Sequence, residues 1–302
     1  MLLHGNSFSE NFVRDGQVVS NVDAGSTVRP IEIWAKANIG EKAYAKLGVI
    51  DLNSEFDVQD VGGHFINSSH GIGPDFSQSG LNGPSIFPNT SFGLVGGFSD
   101  GGLAVRLGAF DALPGTPDHP GRLVVRLPGD YGALLVGEVE LQPAEDAKFV
   151  LGAWHYTKPF EMLTASPQTA NSSGIYALLQ GRLAESGSGN LDGWIRTGAA
   201  SSAVNPIAHY VGGGLTFGSD DQRGGMAIAH ARLGEPGRRS LALDGVRAAK
   251  AETIIEATYS HRVAEGVQVQ PNVQYVINPG WDQDRSDALV VGIRLSFGIR
   301  FD

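Results

Sequence analysis

Acidic and basic side chains recur in this chain at positions two or four apart, so that they share one side of an extended backbone. Glu252 and Glu256 fall opposite Thr253, Ile255, Ala257 and Tyr259, and Glu138 and Glu140 fall opposite Leu135, Val139 and Leu141. Glu32, Trp34 and Lys36 oppose Ile31, Ile33 and Ala35. The same parity argument adds Lys46, Arg106, Tyr176, Gln180, Arg182, Trp194, Arg196 and Arg294. Carboxylates and guanidinium groups facing water offer bidentate acceptors and donors to neutral hydroxyls, and Trp or Tyr offers a flat apolar face for the C–H side of a ring. That combination suits polyhydroxyl solutes, although a wall residue can equally serve only to solvate the surface.

Asp51, Glu55 and Asp57 lie together where an extended segment ends. They could orient an arginine such as Arg106, or simply cap the start of a loop, and spacing alone leaves both readings open. His64, Asn67, His70 and Asp75 follow within the same loop. The histidine spacing matches no zinc pattern, and a loop rich in Gly and Ser would not hold a coordination sphere, so no metal or other cofactor is expected. Hydroxyls, histidines and carboxylates are present, but no nucleophile, base and orienting acid stand in a recognisable order.

The elements that must position these residues are strands. From 289 to 301 every odd position is apolar, namely Leu289, Val291, Ile293, Leu295, Phe297, Ile299 and Phe301, while the even positions are mostly small or charged. Successive side chains of a strand point to opposite faces, and this run exceeds the ~5–6 residues of a usual strand and covers the ~9–11 needed to cross a bilayer at a tilt. Between 267 and 278, Gln268, Gln270, Asn272, Gln274 and Asn278 share a face. Such amides need hydrogen-bonding partners, so that face must meet water. Trp154, Tyr156, Tyr259, Tyr275, Phe297 and Phe301 are placed as an aromatic girdle at the membrane interface, with core packing as the alternative.

Alternation between turn clusters predicts about fourteen strands: 31–39, 43–50, 92–98, 103–110, 123–127, 133–142, 149–158, 174–184, 191–199, 208–217, 225–233, 251–263, 267–278 and 288–301. No segment carries a full helical period, and no linker or domain boundary interrupts the pattern. Short connections alternate with long ones, as expected when one end of a barrel has tight turns and the other has loops. Residues 54–91 contain no clear strand, a length seldom tolerated without a function; in a barrel this loop would fold inward and narrow the lumen. Gly212-Gly213-Gly214 lacks the strand-to-helix context of a phosphate loop, and Asp118-His119-Pro120 reads as a turn.

Composition is consistent with this outline. The 302 residues include 42 Gly, 18% are charged and none is Cys, so neither disulfides nor thiolate metal sites can form. A formal net charge of −10 argues against a nucleic-acid partner. No run approaches the ~18 apolar residues of a transmembrane helix, which leaves a membrane barrel open because its strands alternate. Residues Met1 to Gly5 lack the regions of a secretory signal. Alternation does not by itself separate a barrel from a soluble β-sandwich binding module, nor a channel from a barrel hydrolase with groups on its rim.

Several motifs resemble, in order, the carbohydrate-selective porin (OprB) family of Gram-negative outer membranes. They are Asp51-Leu52-Asn53-Ser54-Glu55-Phe56-Asp57, Phe65-Ile66-Asn67-Ser68-Ser69-His70-Gly71-Ile72-Gly73-Pro74 and Ser85-Ile86-Phe87-Pro88, then Gly108-Ala109-Phe110-Asp111, Asp118-His119-Pro120 and Gly132-Ala133-Leu134-Leu135. Leu151-Gly152-Ala153-Trp154-His155-Tyr156-Thr157 and Gln274-Tyr275-Val276-Ile277-Asn278-Pro279-Gly280 complete the series. The resemblance implies an all-β, antiparallel transmembrane barrel of sixteen strands, about thirteen or fourteen of them present here in one domain spanning 1–302. It further implies passive passage of mono- and oligosaccharides past an inward constriction loop, with small sugars and outer-membrane lipid as partners. The family carries a signal peptide and additional strands ahead of the matching part, so the chain is expected to be N-terminally shortened. Oligomeric state, a homo-oligomer included, is left open.

Overall fold

A computed structural model of the chain describes residues 1–5, 7–116, 122–126, 131–164 and 167–298. Thirteen strands form a single antiparallel sheet in unbroken chain order. They are β1 (Ile33–Ile39), β2 (Ala43–Ile50), β3 (Ser91–Asp100), β4 (Leu103–Asp111), β5 (Ala133–Ala144), β6 (Ala147–Tyr156) and β7 (Ser173–Ser186), followed by β8 (Gly189–Ala200), β9 (Ile207–Gly218), β10 (Gln222–Leu233), β11 (Ala251–Ala264), β12 (Val267–Ile277) and β13 (Ala288–Phe297). Every neighbour is a hairpin partner, so strand pairing follows chain order. Among the described residues β1 pairs only with β2 and β13 only with β12.

One end of the sheet is made of turns of two or three residues. Gly101 and Gly102 show why so much glycine is used: φ is 56° and 86°, the pair of positive values that a two-residue turn between twisted strands requires. The other end carries the long connections 51–90, 112–132, 157–172, 201–206, 234–250 and 278–287.

The orientation of the two faces decides between sandwich and barrel. Leu289, Val291, Ile293, Leu295 and Phe297 are 66, 72, 64, 54 and 73% exposed, whereas Gln270, Asn272 and Gln274 are 6, 4 and 1% exposed. Oily flanks therefore point outward on β13 and amides inward on β12, the inverse of a sandwich; the amides do not meet water as expected, because Gln270 and Gln274 donate to the carbonyls of His64 and Val19 and Asn272 to Glu256. The rest of the wall agrees, with Leu47, Leu94, Leu107, Leu151, Ile195, Leu215 and Met226 all exposed. No helix among the described residues is long and apolar enough to cross a membrane.

The core sits inside this wall and is supplied largely by the long connection. Phe56, Phe65, Ile72 and Phe76 from 51–90 pack with Val95, Phe110, Trp154, Tyr156, Tyr176 and Trp194. A second cluster joins Val13 and Val19 to Tyr210, Ile254, Val276 and Trp281. Glycines on the inner wall make room for these rings: a Cβ on Gly152 would overlap Tyr176, and one on Gly174 would overlap Trp154.

Three expectations need correction. The stretch 123–127 is no strand over its described part, because Asp111 accepts from the Arg126 N–H while its guanidinium donates to the carbonyls of Leu113 and Gly115, binding the segment into its own loop. A nine-residue helix, α1 (Glu235–Leu243), is present. It is polar and short, held by Glu235 pairs to Arg238 and Arg239, so it leaves little hydrophobic period to detect. Trp154 and Tyr156 belong to no girdle; they are 2 and 0% exposed and Phe76 stacks on Trp154 at 5.2 Å. Tyr259, Tyr275 and Phe297 do face outward. Leu127, Asp118-His119-Pro120, Ile299 and Phe301 lie outside the described residues.

Candidate functional site

Strand parity carries the acidic and basic side chains of the sequence to the inner face, where they separate into two sets. The first set is buried against the connection 51–90. Arg196 on β8 is fully buried; its Nη2 donates to Asp57 Oδ2 at 2.8 Å, its Nε to Asp57 Oδ1 at 3.3 Å, and its Nη1 to Asp75. The rings of Tyr176 and Tyr210 lie 5.2 and 5.5 Å from its guanidinium carbon. Glu138 on β5 accepts from the Asp57 N–H at 2.8 Å and from the Tyr176 hydroxyl at 2.6 Å. Glu256 on β11 accepts from the N–H groups of Ile66 and Asn67 and from Asn272 Nδ2, at 2.7, 3.0 and 2.6 Å.

These contacts wrap the wall around the loop. Glu55 meets Lys46 on β2, Gln59 accepts from Trp194 Nε1 on β8, Asp60 accepts from Gln180 on β7, and Asn67 donates to Gln274 on β12. Glu252 performs the same task for the N-terminal segment and the connection 278–287, accepting from the N–H groups of Gly16 and Gln17 in the first and of Gly280 in the second. Arg294 reaches Asn21 Oδ1 at 2.6 Å. Glu138, Trp194, Arg196, Glu252 and Glu256 are thus closed off by protein backbone and side chains, with exposures of 0 to 5%, and do not face free solvent as parity alone would have it.

The loop carboxylates also find partners other than the one expected. Asp57 pairs with Arg196, and Arg106 pairs instead with Glu138 and Glu140 at 2.8 and 2.9 Å. Asp51 accepts from the N–H groups of Asn53 and Phe87, a capping role. Burial pushes the Asp51 and Asp57 carboxyls up to about 6, in the latter against the pull of Arg196. His70 is completely buried between Phe65 and Trp194, with Nε2 3.6 Å from Glu256 and no hydrogen bond to either ring nitrogen among the described residues. Desolvation pushes it down to about 3 and His64 to about 4.

The second set is partly open: Glu32, Trp34 and Lys36 are exposed and Glu55 is half-buried, whereas Lys46 is only 4% exposed. Lys46 Nζ lies 4.3 Å above the Trp34 ring, 2.8 Å from Glu55 and 3.6 Å from Glu32. Lys36 Nζ lies 3.9 Å above the Tyr44 ring, and the Tyr44 hydroxyl donates to Glu55 at 2.6 Å. Arg106 and Glu140 continue this strip on β4 and β5 at 23 and 17% side-chain exposure. Tyr44 was missed as a site residue, although it shares parity with Lys46. A cavity of about 490 Å³ lies between the loop and the N-terminal segment, lined by Gln17, Asn21, Asp51, Asn53, Ser68 and Gln78 among others. Gln17 and Gln78 carried no sequence signal, since their contacts depend on distant backbone.

A family model described as carbohydrate-selective porin, OprB family, matches residues 1–299. No match was found among curated proteins. Among solved structures, the high pH structure of Pseudomonas putida OprB superimposes with a TM-score of 0.82 at 18% identity, covering 97% of this chain and 80% of that one. The low pH structure of the same porin gives 0.55 at 16% identity over 88% and 66% of the two chains. Pseudomonas aeruginosa OpdL gives 0.52 at 11% identity over 84% and 66%. At such identities the structural likeness establishes fold, and the family model establishes kinship. With an oily exterior, a polar interior and a match running nearly end to end, the chain belongs to the carbohydrate-selective porin (OprB) family of the outer membrane.

Proposed function

We propose that neutral mono- and oligosaccharides diffuse along the partly open inner strip formed by Glu32, Trp34, Lys36, Glu55, Arg106 and Glu140, with the buried Lys46 behind it as the partner of Glu55 and Glu32, and that the loop 54–91 narrows the bore beside it. The observation that carries this reading is the juxtaposition on β1 and β2 of aromatic faces with ion-paired groups. Trp34 and Tyr44 each lie under a lysine ammonium, and Glu55 accepts from Lys46 and, at the ring edge, from the Tyr44 hydroxyl. A pyranose can stack its C–H face on an indole while its hydroxyls bridge carboxylate and ammonium. Balanced charge keeps the strip wet without favouring an ion of one sign.

The chain acts in this reading as a channel and not as a hydrolase. His70, one of the two loop histidines that a catalytic role would draw on, is sealed from any substrate. The test is planar-bilayer conductance of the full chain in the presence of glucose and linear glucose oligomers. Sugar should reduce the ion current, and Trp34→Ala should weaken that block by about 1 kcal/mol, roughly fivefold in the half-blocking concentration. A current indifferent to sugar would remove the proposal.

A further inference from the structure

The apolar exterior is interrupted across β5 to β9. Gly137, Ala153, Ala177 and Ala199 take outward positions there, between Leu151, Ile175 and Val139, and a groove of about 570 Å³ results. Register links its members in a row: Gly137 to Ala153, Ala153 to Ile175, Ile175 to Ala199, and Ala199 to His209. The row climbs from within β5 to the long-connection end of β9, where His209 forms its last wall.

At that end three basic side chains meet on the outer face. His209 stands opposite Arg232 in the β9–β10 register, and His230 lies two residues from Arg232 on the same side of β10. All three are exposed. His230 Nδ1 is 2.8 Å from Thr253 Oγ1, which orients the ring; with Nδ1 accepting from that hydroxyl, Nε2 is the donor. Arg232 has no ion pair among the described residues. A guanidinium at the edge of hydrocarbon without a protein partner is costly unless it reaches an anionic headgroup. Directly opposite residues in a sheet sit about 5 Å apart, close enough for one phosphate to accept from both side chains.

We propose that this is a lipid site: a phosphorylated glycolipid of the leaflet on the long-connection side lays one acyl chain in the groove and sets its phosphate on Arg232, His209 and His230. The proposal rests on the membrane orientation of the preceding reading, and its test is separable from the sugar assay. The full chain, purified in detergent, is examined by native mass spectrometry with diphosphorylated lipid A and with the same lipid dephosphorylated. Wild type should retain the phosphorylated form at least tenfold better. His209→Gln with Arg232→Gln should abolish that preference, and Ala177→Leu, which fills the groove from outside the core, should reduce retention of both forms. Ala199→Leu serves if Ala177→Leu does not fold. Sugar block should be unaltered in every variant, so a channel that ignores sugar yet discriminates these lipids would sink only the transport reading. Equal retention of the two lipids, or equal retention by wild type and the double variant, overturns the lipid site.

Discussion

Arg196→Met probes how the loop is held. The guanidinium is fully buried and is shared by two fully buried carboxylates, Asp57 and Asp75, one near each end of the inner segment of the loop. Removing it leaves both carboxylates without their cation, and breaking a buried pair in this way costs about 3–5 kcal/mol. That corresponds to a shift of roughly 100- to 4,000-fold in the ratio of docked to undocked loop. The loop keeps a second charged anchor, because Glu256 still accepts from Ile66 and Asn67, each bond contributing about 1.5–3 kcal/mol. The expected result is therefore loosening of the loop with the wall intact: larger, noisier single-channel conductance and new protease cleavage within 54–91. Adding Asp57→Asn and Asp75→Asn removes the stranded charges and should restore more than half of the protection. A protease-resistant loop with wild-type conductance in Arg196→Met, or a triple variant no better than the single one, would refute the argument.

Two further outcomes follow from the same geometry. Ile195→Arg, at an outward position 53% exposed in the middle of β8, should destabilise the folded chain in lipid vesicles by about 2–4 kcal/mol in urea titration; an unchanged midpoint would argue that this face meets water. Acid should loosen the loop through its histidines, since His70 and His64 are held near 3 and 4 against an ordinary 6.5, so their contribution to docking is complete above pH 6.5 and is lost as pH falls towards those values. Asp51 and Asp57, held near 6 against 3.8, act with the opposite sign and favour docking as pH falls from 6 to 3.8. His70→Gln should flatten the rise in loop proteolysis between pH 6.5 and 4, and an acid response identical to wild type would exclude His70 as its source.

Much of the wall is legible in the amino-acid sequence. Side-chain parity is a property of the backbone over two residues, so Leu289 to Phe297 and Gln270 to Gln274 announce opposite faces without knowledge of their neighbours. The same local rule placed Lys46, Arg106, Glu138, Arg196 and Glu256 together on one side, and turn chemistry such as Gly101-Gly102 separated the strands. Parity failed where no ladder exists: at 123–127, whose alternating residues are captured by their own loop through Arg126, and at α1, whose short polar turns leave no period to read.

What fills the space in front of the polar face was decided only by the tertiary structure. Asp57 meets Arg196 across 139 residues, Ile66 meets Glu256 across 190, and Gln17 meets Glu252 across 235. Spacing could say that these groups look inward, but whether an inward carboxylate faces water or a backbone N–H depends on where a distant loop comes to rest. The sequence by itself therefore determined the faces of the wall, because alternation is local. The division between buried anchors and the partly open strip on the first strands belongs to the folded chain, because it arises from contacts between segments that are neighbours only in space.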